Sequence, residues 1–162
     1  MSNQPWWRGA RGEWYVAGQI VLLTLIIAGP RTVGGWPPWT FLSGILVDVA
    51  GVALMVTGGC VSFIAMRSLG AGLTPLPHPN AQAELKESGI YRMVRHPIYF
   101  GVLLGGLGWA LVGRGWLTIL YVVLGGVFLD IKARREEQWL VERFPGYAAY
   151  RLRVRKLIPF VY

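Results

Sequence analysis

An all-α, polytopic membrane protein is the fold class this sequence predicts, with about four transmembrane helices and a cytoplasmic, amphipathic C-terminal helix. Three observations predict it. Of 162 residues, 54% are apolar and mean hydropathy is +0.44, greasier than most soluble domains. The apolar residues fall into four runs with short polar breaks. The cations are one-sided. Counting Lys and Arg by alternate sides, Arg8, Arg11, the stretch from Arg67 to Arg95 and everything from Lys132 onward hold fourteen, while Arg31 and Arg114 are the two on the other side. The positive-inside preference then puts both termini and the loop between the second and third runs in the cytoplasm. The same asymmetry accounts for a formal charge of +8 without nucleic acid. Eight Trp and seven Tyr suit two membrane interfaces.

The first run, Trp14 to Gly29, ends at Pro30 and Arg31. The second, Trp39 to Met66, is interrupted only by Asp48; as a helix it spans about 42 Å, enough to cross with tilt. A carboxylate inside such a run is a functional candidate by default; with no obvious cationic partner at its depth, it reads equally as a protonated group hydrogen-bonded across helices. The third run, Pro97 to Gly113, is about 25 Å long, short for a crossing. Only Arg114-Gly115 separates it from the fourth, so these two should form an antiparallel hairpin. The fourth stays apolar from Trp116 to Leu129, and its helical pattern continues to Phe144. Gly101 and Gly105 form a GxxxG, and Gly51, Gly58, Gly59, Gly125 and Gly126 add small faces for close packing.

The cytoplasmic loop has two parts. Gly70 to Pro79 carries three prolines and two glycines among its breaks, so it should be irregular. Ala81 to Ser88 reads as a short helix with Asn80 as cap and Gly89 as stop. His78, among prolines, reads as a solvated loop histidine. Cys60 is the lone cysteine, so neither an intrachain disulfide nor a cysteine metal cluster is expected, and no metal is. No cleavable signal is evident.

Between these parts lies the stretch Gly89-Ile90-Tyr91-Arg92-Met93-Val94-Arg95-His96-Pro97-Ile98-Tyr99-Phe100-Gly101. Pro97 suits the first position of a helix and drives His96 out of the α region. Arg95 and His96 should therefore stand in an extended arm over a helix start, whose first-turn N–H groups and dipole favour an anionic group such as a carboxylate. Tyr91 and Tyr99 add aromatic faces and hydroxyls. A basic anchor at the lipid surface is the plainer alternative. At the end of the fourth run Asp130, Arg134 and Glu137 share a face, and Asp130 can pair with Arg134. Glu136-Glu137 is an acidic pair in a tail whose other charges are nearly all basic. After Pro145, Tyr147, Tyr150, Val154 and Leu157 form one apolar stripe flanked by Arg151, Arg153, Arg155 and Lys156, read as an amphipathic helix.

GIYRMVRHPIYFG followed by an apolar hairpin, EEQWL, Phe144, Tyr147, Tyr150 and Pro159 resembles the integral-membrane isoprenylcysteine carboxyl methyltransferase family and its bacterial phospholipid-methyltransferase relatives. The resemblance covers roughly residues 70–160, the motif-bearing core of a single methyltransferase domain, 1–162. It implies S-adenosylmethionine bound at the cytoplasmic face, surrounded by Leu85, Lys86, Tyr91, His96, Pro97, Ile98, Tyr99 and Glu136; the reading of the arm itself adds the charge of Arg95. It implies a substrate contact at Lys132, one turn before Glu136, and these two residues carry the chemistry. Relatives often have a histidine where Ala83 stands. Methyl transfer from a sulfonium mainly needs positioning and desolvation. A site opening at the membrane face would take a lipophilic acceptor from the bilayer, either a carboxylate or an amine that has first lost its proton. Isoprenylcysteine, a phospholipid amine and a small lipophilic molecule stay open, as does oligomeric state. A bacterial inner membrane is the expected location. Two other readings stand beside this one: an NADPH-dependent membrane reductase of the sterol-reductase kind, and a non-catalytic membrane scaffold.

Overall fold

The computed structural model describes residues 11–40 and 44–162. Arg8 and residues 41–43, the latter within the expected second run, lie outside the described residues. Among the described residues four long helices follow one another: α1 (Glu13–Ala28), α2 (Ile45–Leu69), α3 (Pro97–Gly113) and α4 (Trp116–Arg143), with a short α5 (Tyr147–Arg153) after them. Among the described residues there is no β-strand, only one isolated parallel bridge between Val94 and Arg155. By length and composition α2 and α4 can each cross a membrane, while α1 and α3 are shorter apolar helices.

The bundle is greasy on its outside. Leu46 is 82% exposed, Ile27 63% and Val127 57%, so α1, α2 and α4 each turn large aliphatic side chains outward. Water would charge heavily for such a surface and hydrocarbon would not.

Small residues decide how α2 and α3 meet. They run antiparallel, Gly51 against Gly108 and Gly58 against Gly101 and Gly105. A Cβ added at Gly58 would reach 2.7 Å from the Gly105 nitrogen, and one at Gly51 2.9 Å from the Gly108 carbonyl. The backbones are in contact, so the GxxxG packs within the chain. Ser62 Oγ donates across the seam to the Ile98 carbonyl at 3.3 Å. The hairpin between α3 and α4 turns at Arg114, which takes a left-handed φ of 50°, and Gly115. Helix α1 lies against α4, with Gly18 beneath the Phe128 ring and Tyr15 beside it at 6.1 Å.

Three expectations are corrected here. Asp48 has a partner: Arg114 Nη2 donates to it at 2.6 Å. Because α2 and α3 are antiparallel, the first turn of one and the cap of the other share an end of the bundle, a placement the linear sequence does not display. The segment 81–88 is not a helix. Asn80 Oδ1 accepts from Gln82 N at 3.0 Å, an Asx turn. The Arg143 guanidinium takes the Asn80 and Ala81 carbonyls at 2.6 and 2.9 Å, oxygens a helix would have needed. The tail is helical only over Tyr147–Arg153. Beyond it the chain extends beside the His96 arm, with Arg95 N donating to Arg155 O at 2.8 Å and His96 N to Lys156 O at 3.0 Å. The apolar stripe still faces inward, for Tyr147, Tyr150 and Leu157 are buried. His78 is exposed as expected, but its ring meets Trp139 edge-on at 5.3 Å.

Candidate active site

Pro97 is the first residue of α3, and His96 before it is non-helical, at φ −120° and ψ 64°. The local chemistry of proline thus produces the extended arm that aims Arg95 and His96 across to α4. There Glu136 and Glu137, adjacent in sequence, point in different directions. Glu137 is buried. Its Oε1 accepts from Arg95 Nε at 2.8 Å and from His96 Nε2 at 3.1 Å, and its Oε2 lies 3.4 Å from Arg151 Nε. A carboxylate only accepts, so His96 donates through Nε2, and its Nδ1 is turned toward Glu136, 3.8 Å away.

Glu136 faces a cavity of about 330 Å³, within the usual size range for small-molecule sites. Tyr99 Oη donates to its Oε2 at 2.8 Å, and the Tyr99 ring stacks on His96 with centroids 5.3 Å apart. Lys132 is 2% exposed; its Nζ donates to Pro75 O at 2.9 Å and to Gln19 Oε1 and sits 5.3 Å from the Tyr99 ring centroid.

The cavity roof is the C-terminal segment. Tyr150 Oη donates to the Tyr91 carbonyl at 2.6 Å, and Tyr91 Oη to the Ala65 carbonyl at 3.4 Å. Burial pushes the hydroxyls of Tyr91, Tyr147 and Tyr150 well above the ordinary tyrosine value, so all three are neutral at any physiological pH. Arg95 also donates to the Arg151 carbonyl at 3.2 Å and to that of Val154, which ties the roof to the arm.

All ten expected site residues line this one cavity: Leu85, Lys86, Tyr91, Arg95, His96, Pro97, Ile98, Tyr99, Lys132 and Glu136. They differ in what they are free to do. Arg95 is committed to Glu137 and to backbone carbonyls, and the ammonium of Lys86 is held by Glu84 at 2.7 Å. Ala83 is also on the wall. One residue was singled out without its role, and one was missed. Glu137 is the acceptor on which the arm closes; its place beside Glu136 was a signal, but the direction of its side chain was not. Gln19 lies 113 positions from Lys132, and its only signal is an amide within an apolar helix.

A family model described as phospholipid methyltransferase matches residues 46–146. The chain belongs to this family. Among curated relatives, a steroid 5-alpha-reductase DET2 of Gossypium hirsutum is 27% identical over 124 residues, covering 76% of this chain and 43% of its own. A protein-S-isoprenylcysteine O-methyltransferase of Saccharomyces cerevisiae is 28% identical over 120 residues, covering 72% and 50%. This family member thus spans about half the length of the curated relatives it matches. In fold it is similar to a solved eukaryotic intramembrane Ras methyltransferase, isoprenylcysteine carboxyl methyltransferase. The TM-score is 0.66 at 18% identity, with 99% of this chain and 55% of that one covered.

Proposed function

We propose that this chain is an integral-membrane S-adenosylmethionine-dependent methyltransferase acting on a lipophilic acceptor, a carboxylate or an amine, delivered from the bilayer. The observation that carries the reading is the single cavity joining the Pro97 helix start to Glu136. The residues present fit the cofactor. Glu136 keeps one oxygen clear of Tyr99 for an ammonium or ribose hydroxyl, the start of α3 suits the carboxylate of the amino-acid moiety, and Tyr91, Tyr147 and Tyr150 offer flat apolar faces to a base. When bound, the cofactor supplies an electrophilic methyl group on sulfonium.

The chain's own part is to orient and to dry the site. His96 and Tyr99, stacked and hydrogen-bonded to Glu137 and Glu136, are held in one geometry, which is the main requirement of a transfer between two bound partners. The roof of Tyr147 and Tyr150 excludes water. Lys132 stands at the end of the cavity shared with α1, where an acceptor arriving between helices would present its head group. Expected catalytic residues are Lys132 and Glu136.

A second reading is favoured by the steroid 5-alpha-reductase relatives: a membrane reductase using NADPH. Calorimetric titration of the detergent-purified protein with S-adenosylhomocysteine and with NADPH separates the two. Binding of the first is expected, and binding of NADPH alone would replace the proposal.

The same reading has four membrane crossings, α1 to α4, with both termini and the cavity on the cytoplasmic side of a bacterial inner membrane. The greasy outer surface and the one-sided cations support it. Since Cys60 is exposed, Cys60→Ser is the background for labelling. A cysteine placed at position 78 should react only from the cytoplasm and one at position 34 only from outside; the reverse pattern inverts the topology.

A further inference from the structure

Lys132 and Glu136 are one turn apart on α4, the spacing at which an ammonium and a carboxylate usually pair. They do not. Glu136 accepts from Tyr99, and Lys132 Nζ turns to two neutral oxygens, the Pro75 carbonyl and the Gln19 amide, under the Tyr99 ring. Among the described residues that ammonium makes no ion pair within 4 Å, and its hydrogen bonds go to these two oxygens. Glu136 attracts it only from beyond contact distance, so the ammonium is buried without a carboxylate against it, an arrangement that a bound anion completes.

One of the two oxygens is backbone. The other is the choice of a side chain, and it comes from outside residues 46–146, the part that the family model matches. On α1, Thr24 bonds its own helix at Ile20 O and Glu13 bonds Arg11. Gln19 is the one α1 residue on the wall of the cavity, and it also borders a small apolar pocket lined by Leu22, Ile26, Leu103 and Phe128. An ammonium only donates, so Gln19 must present Oε1 to it and turn its Nε2 donors away. No protein acceptor takes those donors among the described residues. Gln19 thus has amide donors to spare beside the Lys132 ammonium, at the border between the polar cavity and the apolar pocket.

We infer that Gln19 is a positioning residue for Lys132, and that the pair forms a seat for an anionic oxygen group of the carboxylate class on the acceptor. The inference rests on the reading that Lys132 faces the acceptor. An amine acceptor meets an ammonium and amide donors first, with the Glu136 carboxylate, assigned above to the cofactor, a turn away. A carboxylate finds hydrogen bonds for one oxygen and keeps the other for the methyl group.

The test uses the detergent-purified chain with dodecanoate and dodecylamine as probes, and S-adenosylhomocysteine as the control titrant. The parent should bind dodecanoate more tightly than dodecylamine. Gln19→Leu should weaken dodecanoate about tenfold, with S-adenosylhomocysteine affinity within about twofold of the parent. Gln19→Glu is the sharper variant. It still offers Lys132 an oxygen, so a merely structural Gln19 predicts parent-like binding, whereas the seat predicts that dodecanoate binding is lost and dodecylamine binding kept or improved. Dodecanoate binding unchanged in both variants overturns the role of Gln19, as does an equal loss of S-adenosylhomocysteine. A parent that prefers dodecylamine overturns the anionic class. If Lys132→Met also binds dodecanoate as the parent does, the reading beneath fails as well; if only Lys132→Met loses it, that reading stands and Gln19 alone is wrong.

Discussion

Helix α3 has two working faces built from opposite materials. Toward α2 it offers Gly101, Gly105 and Gly108, and the backbones touch, with Ser62 and Met55 fitted against the glycines. Toward α4 it offers Ile98 and Tyr99, and long polar chains from α4 stand off to leave a void. The seam has no freedom: a glycine contact either closes or does not. The chamber has freedom that hydrogen bonds must remove one at a time, through Glu136, Glu137 and Lys132. The difference suggests a division of labour in which the seam sets the height and rotation of Pro97 and the chamber uses that fixed start.

The largest effect should come from the seam. A Cβ at Gly101 would meet Ser62 Oγ and the Gly58 carbonyl, and lie 3.0 Å from Ser62 N. Gly101→Leu therefore forces the helices apart, an overpacking that costs about 3 kcal/mol, and the arm carrying His96 moves with it. Loss of monodisperse protein, or a thermal midpoint in detergent lowered by about 6–12 °C, is expected. Gly59→Leu, one residue from the seam with nothing within 4 Å of its Cβ, is the control and should unfold as the parent does. Similar damage from both would mean the seam is not what holds α3.

A chamber substitution should do the reverse, sparing the fold and harming binding. Glu136→Ala removes a half-exposed carboxylate and its bond to Tyr99. Losing a charge-assisted hydrogen bond to the ligand costs about 1.5–3 kcal/mol, a ten- to hundredfold drop in S-adenosylhomocysteine affinity. The thermal midpoint of the unliganded protein should stay close to the parent's. Unchanged affinity by calorimetry takes Glu136 out of the site.

The two regions were also unequally legible in the sequence. Elements written by local chemistry could be read directly: the α3 start at Pro97, the turn at Arg114-Gly115, and the Asp130–Arg134 pair at 2.7 Å. The gathering of the site residues was legible through the order of RHPIYFG and EEQWL. What stayed hidden depends on partners far along the chain. Segment 81–88 has helical composition, yet Arg143 takes its first carbonyls. Val154 and Leu157 continue an apolar period, yet backbone pairing with the His96 arm straightens the chain beneath them. Gln19 met Lys132 only when α1 packed on α4. Side-chain direction, not composition, separated Glu137 from Glu136.

The smallest effect should come from Asp48, which the sequence marked as functional because a carboxylate inside an apolar run is rarely idle. In the fold it lies at the end of the seam marked by Gly51 and Gly108, away from Gly101 and the chamber, and Arg114 Nη2 is bonded to it at 2.6 Å. Both side chains remain partly exposed, 39% for Asp48 and 29% for Arg114, so their attraction is screened and competes with solvation. Pairs of this kind contribute up to about 1 kcal/mol. The glycine contacts beneath it do not need the charge, and the hairpin is already set by Arg114 and Gly115. Asp48→Asn keeps the shape and an acceptor oxygen while removing the charge, so the thermal midpoint should fall by no more than about 2–4 °C. S-adenosylhomocysteine should bind as it does to the parent, because no chamber residue touches this end. Loss of binding in Asp48→Asn, in protein that still unfolds near the parent's midpoint, would mean that the far end of the seam is coupled to the chamber and that the two faces of α3 do not act independently.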